Sequence, residues 1–486
     1  MADRESDGRH APLSLDRDAM RRLGYDVVDY LVDHFATLAD QPVAPTTDVE
    51  ALKAALARPF RDGPADPAEV LDEVRTRVFG NALKVGHPRF FGYIPTPSNF
   101  VSAMADALAS GINVFAGVGT TNAGPTLIEQ ETIRWLCDLA GLPDGSGGLF
   151  QTGGSGANLT GLCVARGVRL GGVWGRAVVY SGEQTHACVR TALKVLGLPR
   201  DSLRLVPDDA TFRMDTAALT ESIEADLAAG LQPFCLAVSA GTTNTGAIDP
   251  LPDLADLADR HGLWLHVDAA YGGAALLCEE GRGKLAGIER ADTVVIDGHK
   301  WLFQAIECST LLVRDRDWLA HTFRTVPAYM KDNDTDPDGL PNYRDLGIQT
   351  TRAFRALKLW MSLKVFGVGA FRRAVEQGLE LARHAERLIG ARDRWHMAAP
   401  VSLGVAVFRY AHPDLDPDAN DRLNAAMCAA LVADGLALVS SSVLDGRKVI
   451  RLCPIHPATT RADVEHTIDR LEQLAEACLP KAHATG

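Results

Sequence analysis

Long apolar runs, paired cysteines and clusters of basic residues are all missing from this sequence of 486 residues. No 18 apolar residues run together and the first 22 residues are polar and charged, so we expect neither a membrane span nor a secretory leader. The nine cysteines are scattered and form no C-x-x-C pair, which argues against a zinc or redox site. Acidic residues outnumber basic ones by 62 to 49. A net charge of −13 without a basic patch excludes attraction to nucleic acid or anionic membranes.

The remaining composition is that of a globular protein, with 47% hydrophobic and 23% charged residues. Unpaired cysteines favour a reducing compartment, so we expect a cytoplasmic protein. The phosphate-binding motif G-x-x-x-x-G-K-[ST] and the zinc motif H-E-x-x-H are absent, and no metal site is expected. His261 and His266 flank one predicted strand, and we assign them to solvent and to core packing.

Three regions differ in their hydrophobic pattern. Residues 1–85 are predicted to form a helical arm, with apolar residues at helical spacing over 13–40 and shorter helices over 47–58 and 67–83. Such an arm buries little of itself, so a second copy of the chain is the partner that we expect, in a homodimer.

Residues 86–385 alternate short apolar runs with amphipathic helices, which predicts an α/β domain with a mainly parallel sheet. The run 307–315 is predicted to return along that sheet, and one long helix is predicted over 350–389. Residues 386–486 are predicted to form a smaller α+β domain with two strands. Ligands of parallel sheets bind beyond the carboxyl ends of the strands, so the residues at those ends are the candidates for function.

Two of these strand ends carry charged residues. The strand LWLHVD ends in Asp268, and TVVID leads into Lys300. Alone, Asp268 could cap a turn and Lys300 could lie on the surface. Together they fit a lysine that forms a Schiff base with an aldehyde cofactor whose ring nitrogen is kept protonated by a carboxylate. The glycine-rich turn 152–158 lies between a strand and a helix, where free N–H groups favour a phosphate.

These residues lie in segments that resemble a known family, the group II pyridoxal-phosphate-dependent amino-acid decarboxylases, most closely the aromatic-L-amino-acid type. The resemblance spans about residues 87–370. It is carried by HPRFFGYIPTPSN (87–99), GLFQTGGSGANLTG (148–161), SGEQTHACVRTALKVLGL (181–198), AGTTNTGAIDPL (240–251), WLHVDAAYGGAAL (264–276), ADTVVIDGHKWL (291–302) and a YR...RAFRALKLW stretch (343–360).

The resemblance implies the fold of aspartate aminotransferase, called fold-type I, and pyridoxal 5'-phosphate (PLP) as cofactor. It makes Lys300 the residue that holds PLP as an aldimine and Asp268 the partner of the pyridine nitrogen. His186 would stack on one face of the ring, with Ala270 against the other. Thr243 would lie near the 3-hydroxyl. The reaction implied is loss of CO2 from an L-amino acid through a quinonoid intermediate, leaving the amine.

The resemblance also assigns the phosphate contacts to Ser155, Gly156 and His299. The family commonly has Asn two residues before this histidine, whereas this chain has Asp297. A carboxylate would repel a phosphate unless it faces a donor, so phosphate binding is not assigned to Asp297.

Substrate-side residues implied by the resemblance are Tyr93, Thr96, Ile94 and Thr351. Tyr329 matches a loop tyrosine that protonates the substrate carbon after CO2 leaves. The aromatic members line their pocket with bulky residues where this chain has smaller ones, which predicts an altered pocket. The positions concerned are Ile94, Gly86, Gly117 and Gly119.

Several alternatives stay open at this point. An aldehyde synthase or an aminotransferase could use the same cofactor. Tyr329 favours decarboxylation, because the position is Phe in relatives that make aldehydes, whereas Arg451 could bind a second carboxylate as aminotransferases require, or pair with an acid at a domain boundary. The substrate could also be aliphatic or acidic. A non-catalytic binding protein on this scaffold is the remaining alternative.

Overall fold

The computed structural model describes residues 13–172, 174–325 and 339–483. The strands are β1 Gly147–Gln151, β2 Ala177–Gly182, β3 Leu203–Val206, β4 Gln232–Ser239, β5 Trp264–Asp268, β6 Thr293–Asp297, β7 Ser309–Val313, β8 Trp395–Met397, β9 Ala406–Tyr410, β10 Ser440–Leu444 and β11 Arg447–Leu452. The helices are α1 Arg17–Thr37, α2 Val49–Leu56, α3 Pro67–Glu73, α4 Phe100–Ile112, α5 Ala123–Leu139, α6 Gly154–Leu170, α7 Cys188–Val195, α8 Thr216–Ala228, α9 Leu251–His261, α10 Glu279–Lys284, α11 Asp317–Phe323, α12 Ala356–Phe366, α13 Val368–Gly390, α14 Pro417–Asp434 and α15 Arg461–His483.

The larger sheet has seven strands in the order β1-β7-β6-β5-β4-β2-β3. Strands β2 to β6 pair in parallel, and β7 runs antiparallel to both β1 and β6. Every residue of β2, β6 and β7 is buried, because helices cover both faces. The predicted α/β fold with a mainly parallel sheet and a returning strand at 307–315 is therefore confirmed.

The smaller sheet is antiparallel, in the order β10-β11-β9-β8. The predicted two strands correspond to β9 and β11, and the sequence analysis missed β8 and β10. The first is only three residues long, and the second is a serine-rich strand with alternating exposure, so neither has the apolar run used to predict strands.

The helix predicted over 350–389 is wrong in one respect, because it is two helices. Gly367, at φ +73°, separates α12 from α13. Helix α13 then packs on both sheets: Val375 and Leu379 belong to the core of the large sheet, whereas Ala385 and Ile389 belong to the core of the small one. The boundary predicted at residue 385 thus falls inside a helix, and the three-region division stays a prediction.

The arm consists of α1, α2 and α3, followed by a π-helical turn at Val74–Val78. None of these four elements has a fully buried residue. Across the described residues, no helix combines the length and the apolar character that crossing a bilayer would require.

Candidate active site

The glycine-rich turn joins β1 to α6 at the carboxyl end of β1. Gly153 has φ +116°, a conformation that L side chains rarely adopt, and α6 begins directly after it. No side chain caps this helix. The first N–H groups of a 17-residue helix are therefore left for a ligand, and this arrangement suits a phosphate.

Asp268 ends one strand, Lys300 comes three residues after the adjacent parallel strand β6, and both line the same cavity. Asp268 is the last residue of β5, and its Oδ1 accepts from the N–H of Ala270 at 3.1 Å. Burial raises the pKa of Asp268, against the opposing effect of Lys300. Burial by itself would lower the pKa of Lys300, but the carboxylates of Asp297 and Asp268 outweigh it and raise that pKa.

These groups line one cavity of about 340 Å³. His186 reaches it from the segment after β2, and the Nδ1 of its ring accepts from the N–H of Cys188 at 3.3 Å. Thr243 lies in the loop after β4. The lining comprises Thr152, Gly153, Gly154, Ser155, Asn158, His186, Cys188, Ser239, Gly241, Thr242, Thr243, Asp268, Ala270, Tyr271, Asp297, His299 and Lys300. The predicted lysine, carboxylate, imidazole and glycine-rich turn thus meet in one place.

Comparison with known proteins assigns this arrangement to a family. The family model described as the pyridoxal-dependent decarboxylase conserved domain matches residues 50–411. The chain belongs to the pyridoxal-dependent decarboxylase family. The predicted family, enzyme class and PLP cofactor are thereby confirmed.

Alignments with individual relatives cover nearly the whole length of this decarboxylase. It is 41% identical to an aromatic-L-amino-acid decarboxylase of Bacillus atrophaeus, with 96% of this chain and 97% of that protein covered. It is 30% identical to a phenylacetaldehyde synthase of Arabidopsis thaliana, over 96% of this chain and 98% of that one. The crystal structure of Oryza sativa TDC with PLP and tryptamine superposes with a TM-score of 0.91 at 28% identity, covering 97% and 100% of the two chains.

The cavity of the decarboxylase fits its cofactor chemically. A phosphate needs N–H donors, and the uncapped start of α6 offers them. An aldehyde needs an amine, and the side chain of Lys300 is 23% exposed toward the cavity. A pyridine nitrogen needs an anion to stay protonated, and Asp268 supplies one. Phosphate, aldehyde and ring nitrogen therefore each have a suitable partner.

Asp297 faces donors rather than standing free beside the turn. Its Oδ1 accepts from the hydroxyl of Ser309 at 2.5 Å, and its Oδ2 lies 3.0 Å from Nζ of Lys300. A Cβ on Gly154 would lie 2.7 Å from that Oδ2, so glycine is needed for the turn to approach the carboxylate. His299, whose Nδ1 donates to the carbonyl of Cys308 at 2.9 Å, holds its Nε2 at 3.7 Å from Asp297.

None of the four predicted substrate-side residues lines this cavity. Ile94 is buried in the main core, Thr351 is exposed outside the cavity, and Thr96 lines a separate cavity beside the arm. Tyr93 is 63% exposed and lies outside the cavity lining. Their roles stay predictions, and Tyr329 lies outside the described residues. Among the predicted phosphate contacts, Ser155 lines the cavity and Gly156, one residue later, does not.

Two of the glycines at which an altered pocket is predicted are closely packed against their neighbours. A Cβ on Gly117 would lie 2.6 Å from Cζ of Phe115 and 3.0 Å from the carbonyl oxygen of Thr350. On Gly119 it would lie 2.8 Å from Cβ of Leu340. Both glycines permit close packing against the segment 340–350, and an altered pocket at these positions stays a prediction.

Arg451, on strand β11 of the smaller sheet, contacts the loop after β4 that borders the site. It is buried, and burial lowers the pKa of its guanidinium. Its Nε donates to the carbonyl of Asn244 at 2.8 Å, and its Nη2 donates to the carbonyls of Tyr93, at 3.3 Å, and Thr243. Its Nη1 donates to the hydroxyl of Ser440 at 3.0 Å. Within the described residues these hydrogen bonds of Arg451 all go to neutral oxygens, so the alternative of a pairing with an acid is not observed there.

Sequence reasoning missed Asn158 and assigned His266 only to packing. The Nδ2 of Asn158 donates to Oδ2 of Asp268 at 3.3 Å, and its Oδ1 lies 2.8 Å from Nε2 of His266. The pattern W-x-H-x-D in β5 could have indicated this connection. Alternate residues of a strand share a face, so Trp264 and His266 point to the same side as Asp268.

Proposed function

We propose that this decarboxylase converts aromatic L-amino acids to the corresponding amines and CO2. The observation that carries the proposal is the convergence of Lys300, Asp268 and His186 on one cavity beside an uncapped helix start. The substrate class is supported by the 41% identity to the Bacillus aromatic-L-amino-acid decarboxylase.

The proposed roles follow from where each side chain lies. Lys300 binds the cofactor aldehyde, and Asp268 bonds to the ring nitrogen. His186 and Ala270 lie against the two faces of the ring, and Thr243 lies near its 3-hydroxyl. Each of these residues lines the cavity, which supports the assignment.

The phosphate is proposed to bind at the start of α6, with Ser155 and Gly156 in its first turn and His299 opposite. The bond from His299 Nδ1 to the Cys308 carbonyl leaves Nε2 toward the cavity. Asp297 is engaged by Lys300 and Ser309, so its charge is partly balanced before any phosphate binds.

The chain's own groups then control charge and protons around the cofactor. PLP supplies a protonated ring that accepts the electrons released when the bond to the carboxylate breaks. Asp268 holds the ring proton in place by its opposite charge. His186 is oriented by the N–H of Cys188, so that its Nε2 carries the proton and faces the cavity. Tyr329 is proposed to deliver the proton that completes the amine.

Two other reactions need to be separated from decarboxylation. Aldehyde synthesis is favoured by the 30% identity to the Arabidopsis phenylacetaldehyde synthase, and it would release an aldehyde and peroxide in place of the amine. Transamination is disfavoured because it would need Arg451 to bind a substrate carboxylate. Four N–H groups of Arg451 already bond to protein oxygens, so its guanidinium is not free to do so.

The test follows CO2, amine, aldehyde and hydrogen peroxide in parallel, using the PLP-loaded enzyme with each L-amino acid, L-DOPA and 5-hydroxytryptophan. We expect CO2 and amine in equal amounts from aromatic substrates. Release confined to aliphatic or acidic substrates would refute the substrate class, and peroxide with aldehyde would establish the synthase. No release by a cofactor-loaded chain would point to transamination or to a binding protein. Lys300→Ala is the control for chemistry that does not use the site.

We also propose that the enzyme is a homodimer that uses its arm as an interface. On α1, Tyr25 is 64% exposed, Val28 is 39% exposed and Val32 is 45% exposed. Apolar side chains exposed over successive turns of one helix mark a surface that another protein covers. The simplest such partner is a second copy of the same chain.

Sedimentation equilibrium of the loaded enzyme tests the dimer. We expect twice the chain mass of 52.1 kDa. Replacing Val28 and Val32 together by Asp should weaken association, whereas Asp33→Asn on the same helix should not. A monomer at micromolar concentration, or an unchanged dimer in the double variant, would contradict this interface.

The proposed location is the cytoplasm. All nine cysteines are free, and eight of them are buried, which suits a chain that folds under reducing conditions. Fractionation of cells expressing the full chain should recover it with cytoplasmic markers, and recovery in an oxidising compartment would refute the proposal.

A further inference from the structure

A chain of buried hydrogen bonds leads away from Asp268 through the sheet. Asn158 is its first member and His266 its second. The Nδ1 of His266 lies 2.8 Å from the hydroxyl of Thr293, and that hydroxyl also accepts from Nε1 of Trp264 at 2.9 Å. None of the four side chains beyond Asp268 has been given a role in the chemistry above.

The direction of every bond is determined from both ends of the chain. Trp264 can only donate. At the other end, Nδ2 of Asn158 also donates to the carbonyl of Gly154 at 2.8 Å, so its Oδ1 must face His266. Nε2 of His266 therefore donates and its Nδ1 accepts from Thr293. Burial lowers the pKa of His266 to about 4, so its ring is neutral and has one donor and one acceptor.

The backbone explains why these groups meet. Trp264, His266 and Asp268 alternate along β5, and Thr293 is the residue paired with His266 on the adjacent strand β6. Helix α6 lies over this face. A Cβ on Gly161 would be 2.8 Å from Cε1 of the His266 ring, so glycine lets the helix approach closely enough for Asn158 to reach both partners.

We propose that Trp264, Thr293, His266 and Asn158 act as positioning residues that hold the Asp268 carboxylate charged and correctly oriented for the cofactor's ring nitrogen. The proposal rests on the role of Asp268 proposed above. If the histidine tautomer were reversed, Asn158 would be turned and its oxygen would face the carboxylate, which would oppose the charge. The charge on Asp268 thus depends on hydrogen bonds as distant as the one between His266 and Thr293.

The titratable groups facing Asp268 are the same whether or not this series of hydrogen bonds is intact. Lys300 and His186 favour its carboxylate, whereas Asp297 opposes it, and Cys188 lies close by. A variant that interrupts these hydrogen bonds leaves the four titratable groups in place. Any change in the pH at which Asp268 ionises then comes from the lost hydrogen bonds.

The decisive measurement is the dissociation constant of PLP for the cofactor-free full chain between pH 4.5 and 8, followed by quenching of protein fluorescence. Thr293→Val removes the hydroxyl at nearly constant volume. We expect about tenfold weaker binding and an acid limb moved up by about one pH unit, because the buried hydrogen bonds of this hydroxyl to His266 and Trp264 are both lost and the histidine is no longer held in the tautomer that donates to Asn158. Thr293→Ser retains the hydroxyl and should restore both values.

Thr310→Val is the matched control. Thr310 is also buried, and its hydroxyl donates to the carbonyl of Ile296 at 3.0 Å on the neighbouring strand, outside the chain. We expect it to lower stability without moving the acid limb. If Thr293→Val does not fold, Asn158→Leu interrupts the same series of hydrogen bonds at another residue and gives the same test.

The outcomes separate the two proposals. If Asp268→Ala binds PLP with the wild-type pH dependence, the role of Asp268 is wrong. If Asp268→Ala abolishes the acid limb while Thr293→Val and Asn158→Leu behave like Thr310→Val, the hydrogen bonds from Asn158 to Trp264 are merely structural and the inference is overturned. An acid limb that moves to higher pH in both Thr293→Val and Asn158→Leu, and returns to the wild-type pH in Thr293→Ser, supports the inference.

Discussion

The ion pair between Glu129 and Arg352 should be among the most costly places to remove a single charge. Their side chains are 0% and 1% exposed, and Arg352 Nη2 lies 2.5 Å from Glu129 Oε1. Glu129 also accepts from the N–H of Phe150 at 2.9 Å, while Arg352 donates to the carbonyls of Phe150 and Ala116 at 3.0 and 2.9 Å. The pair therefore holds β1 directly before the glycine-rich turn.

Glu129→Gln removes the charge at constant shape and leaves the guanidinium buried without a counterion. Breaking a buried pair on one side costs about 3–5 kcal/mol, whereas removing both charges is often close to neutral. We expect a loss of that size for Glu129→Gln and a smaller loss for the double variant Glu129→Leu with Arg352→Met. Affinity for PLP should fall with the single variant, because Phe150 precedes the turn by two residues.

The assay is urea unfolding followed by circular dichroism at one fixed protein concentration, with Glu129→Leu, Arg352→Met and their combination forming a double-mutant cycle. Glu50→Gln is the control, because the Glu50–Lys53 pair is 83% and 67% exposed and should change stability by less than about 1 kcal/mol. A loss below about 1 kcal/mol for Glu129→Gln would refute the reasoning. A double variant less stable than the sum of the single variants would refute it as well.

Four further predictions address the site and its surroundings. Lys300→Ala should abolish turnover and the visible absorbance of bound cofactor; retention of the absorbance in a dialysed sample would contradict the assignment. Asp268→Ala should reduce turnover about a thousandfold, because one charge pair at about 4 Å in an effective dielectric of about 20 is worth about 4 kcal/mol; near-normal rates would refute its role. Burial lowers the pKa of His87 to about 4, so its neutral form stabilises the fold above pH 6.5 and this contribution is lost as the pH falls toward 4, by up to about 3 kcal/mol. Urea unfolding of His87→Gln should show a shallower fall over that range, and an unchanged slope would count against it. Arg451→Lys should lower stability by about 2 kcal/mol and weaken PLP binding, because an ammonium cannot reach the same set of carbonyls; equal values by urea unfolding and fluorescence titration would show that the clamp is dispensable.

The sequence was informative where the signal is local. Asp268 and Lys300 stand at the ends of apolar strands, so their meeting follows from the topology of a parallel sheet. The turn 152–158 likewise has its glycines and its following helix within one short segment. Strand β10, with three serines in five residues, offers no such signal and forms only because β11 pairs with it.

Partners that are distant in the chain were not predictable. Ser309 binds Asp297 because β7 runs antiparallel to β6 and places those two residues opposite each other, a register that no local pattern specifies. The contacts of Arg451 are mostly main-chain carbonyls, which leave no trace in residue identity. Gly117 and Gly119 show the same limitation, since only the packed structure reveals what fills the space beside them.

The guanidinium of Arg451 also bears on when the enzyme becomes competent during synthesis. It ties together the carbonyls of Tyr93, Thr243 and Asn244, yet it belongs to β11, which follows every strand of the large sheet in the chain. A ribosome releases all the groups proposed to contact the cofactor before it releases Arg451, which holds the loop after β4 that carries one of them, Thr243. Nascent chains halted before β11 should therefore emerge with the loop after β4 untethered, and we expect tight cofactor binding to await the release of β11.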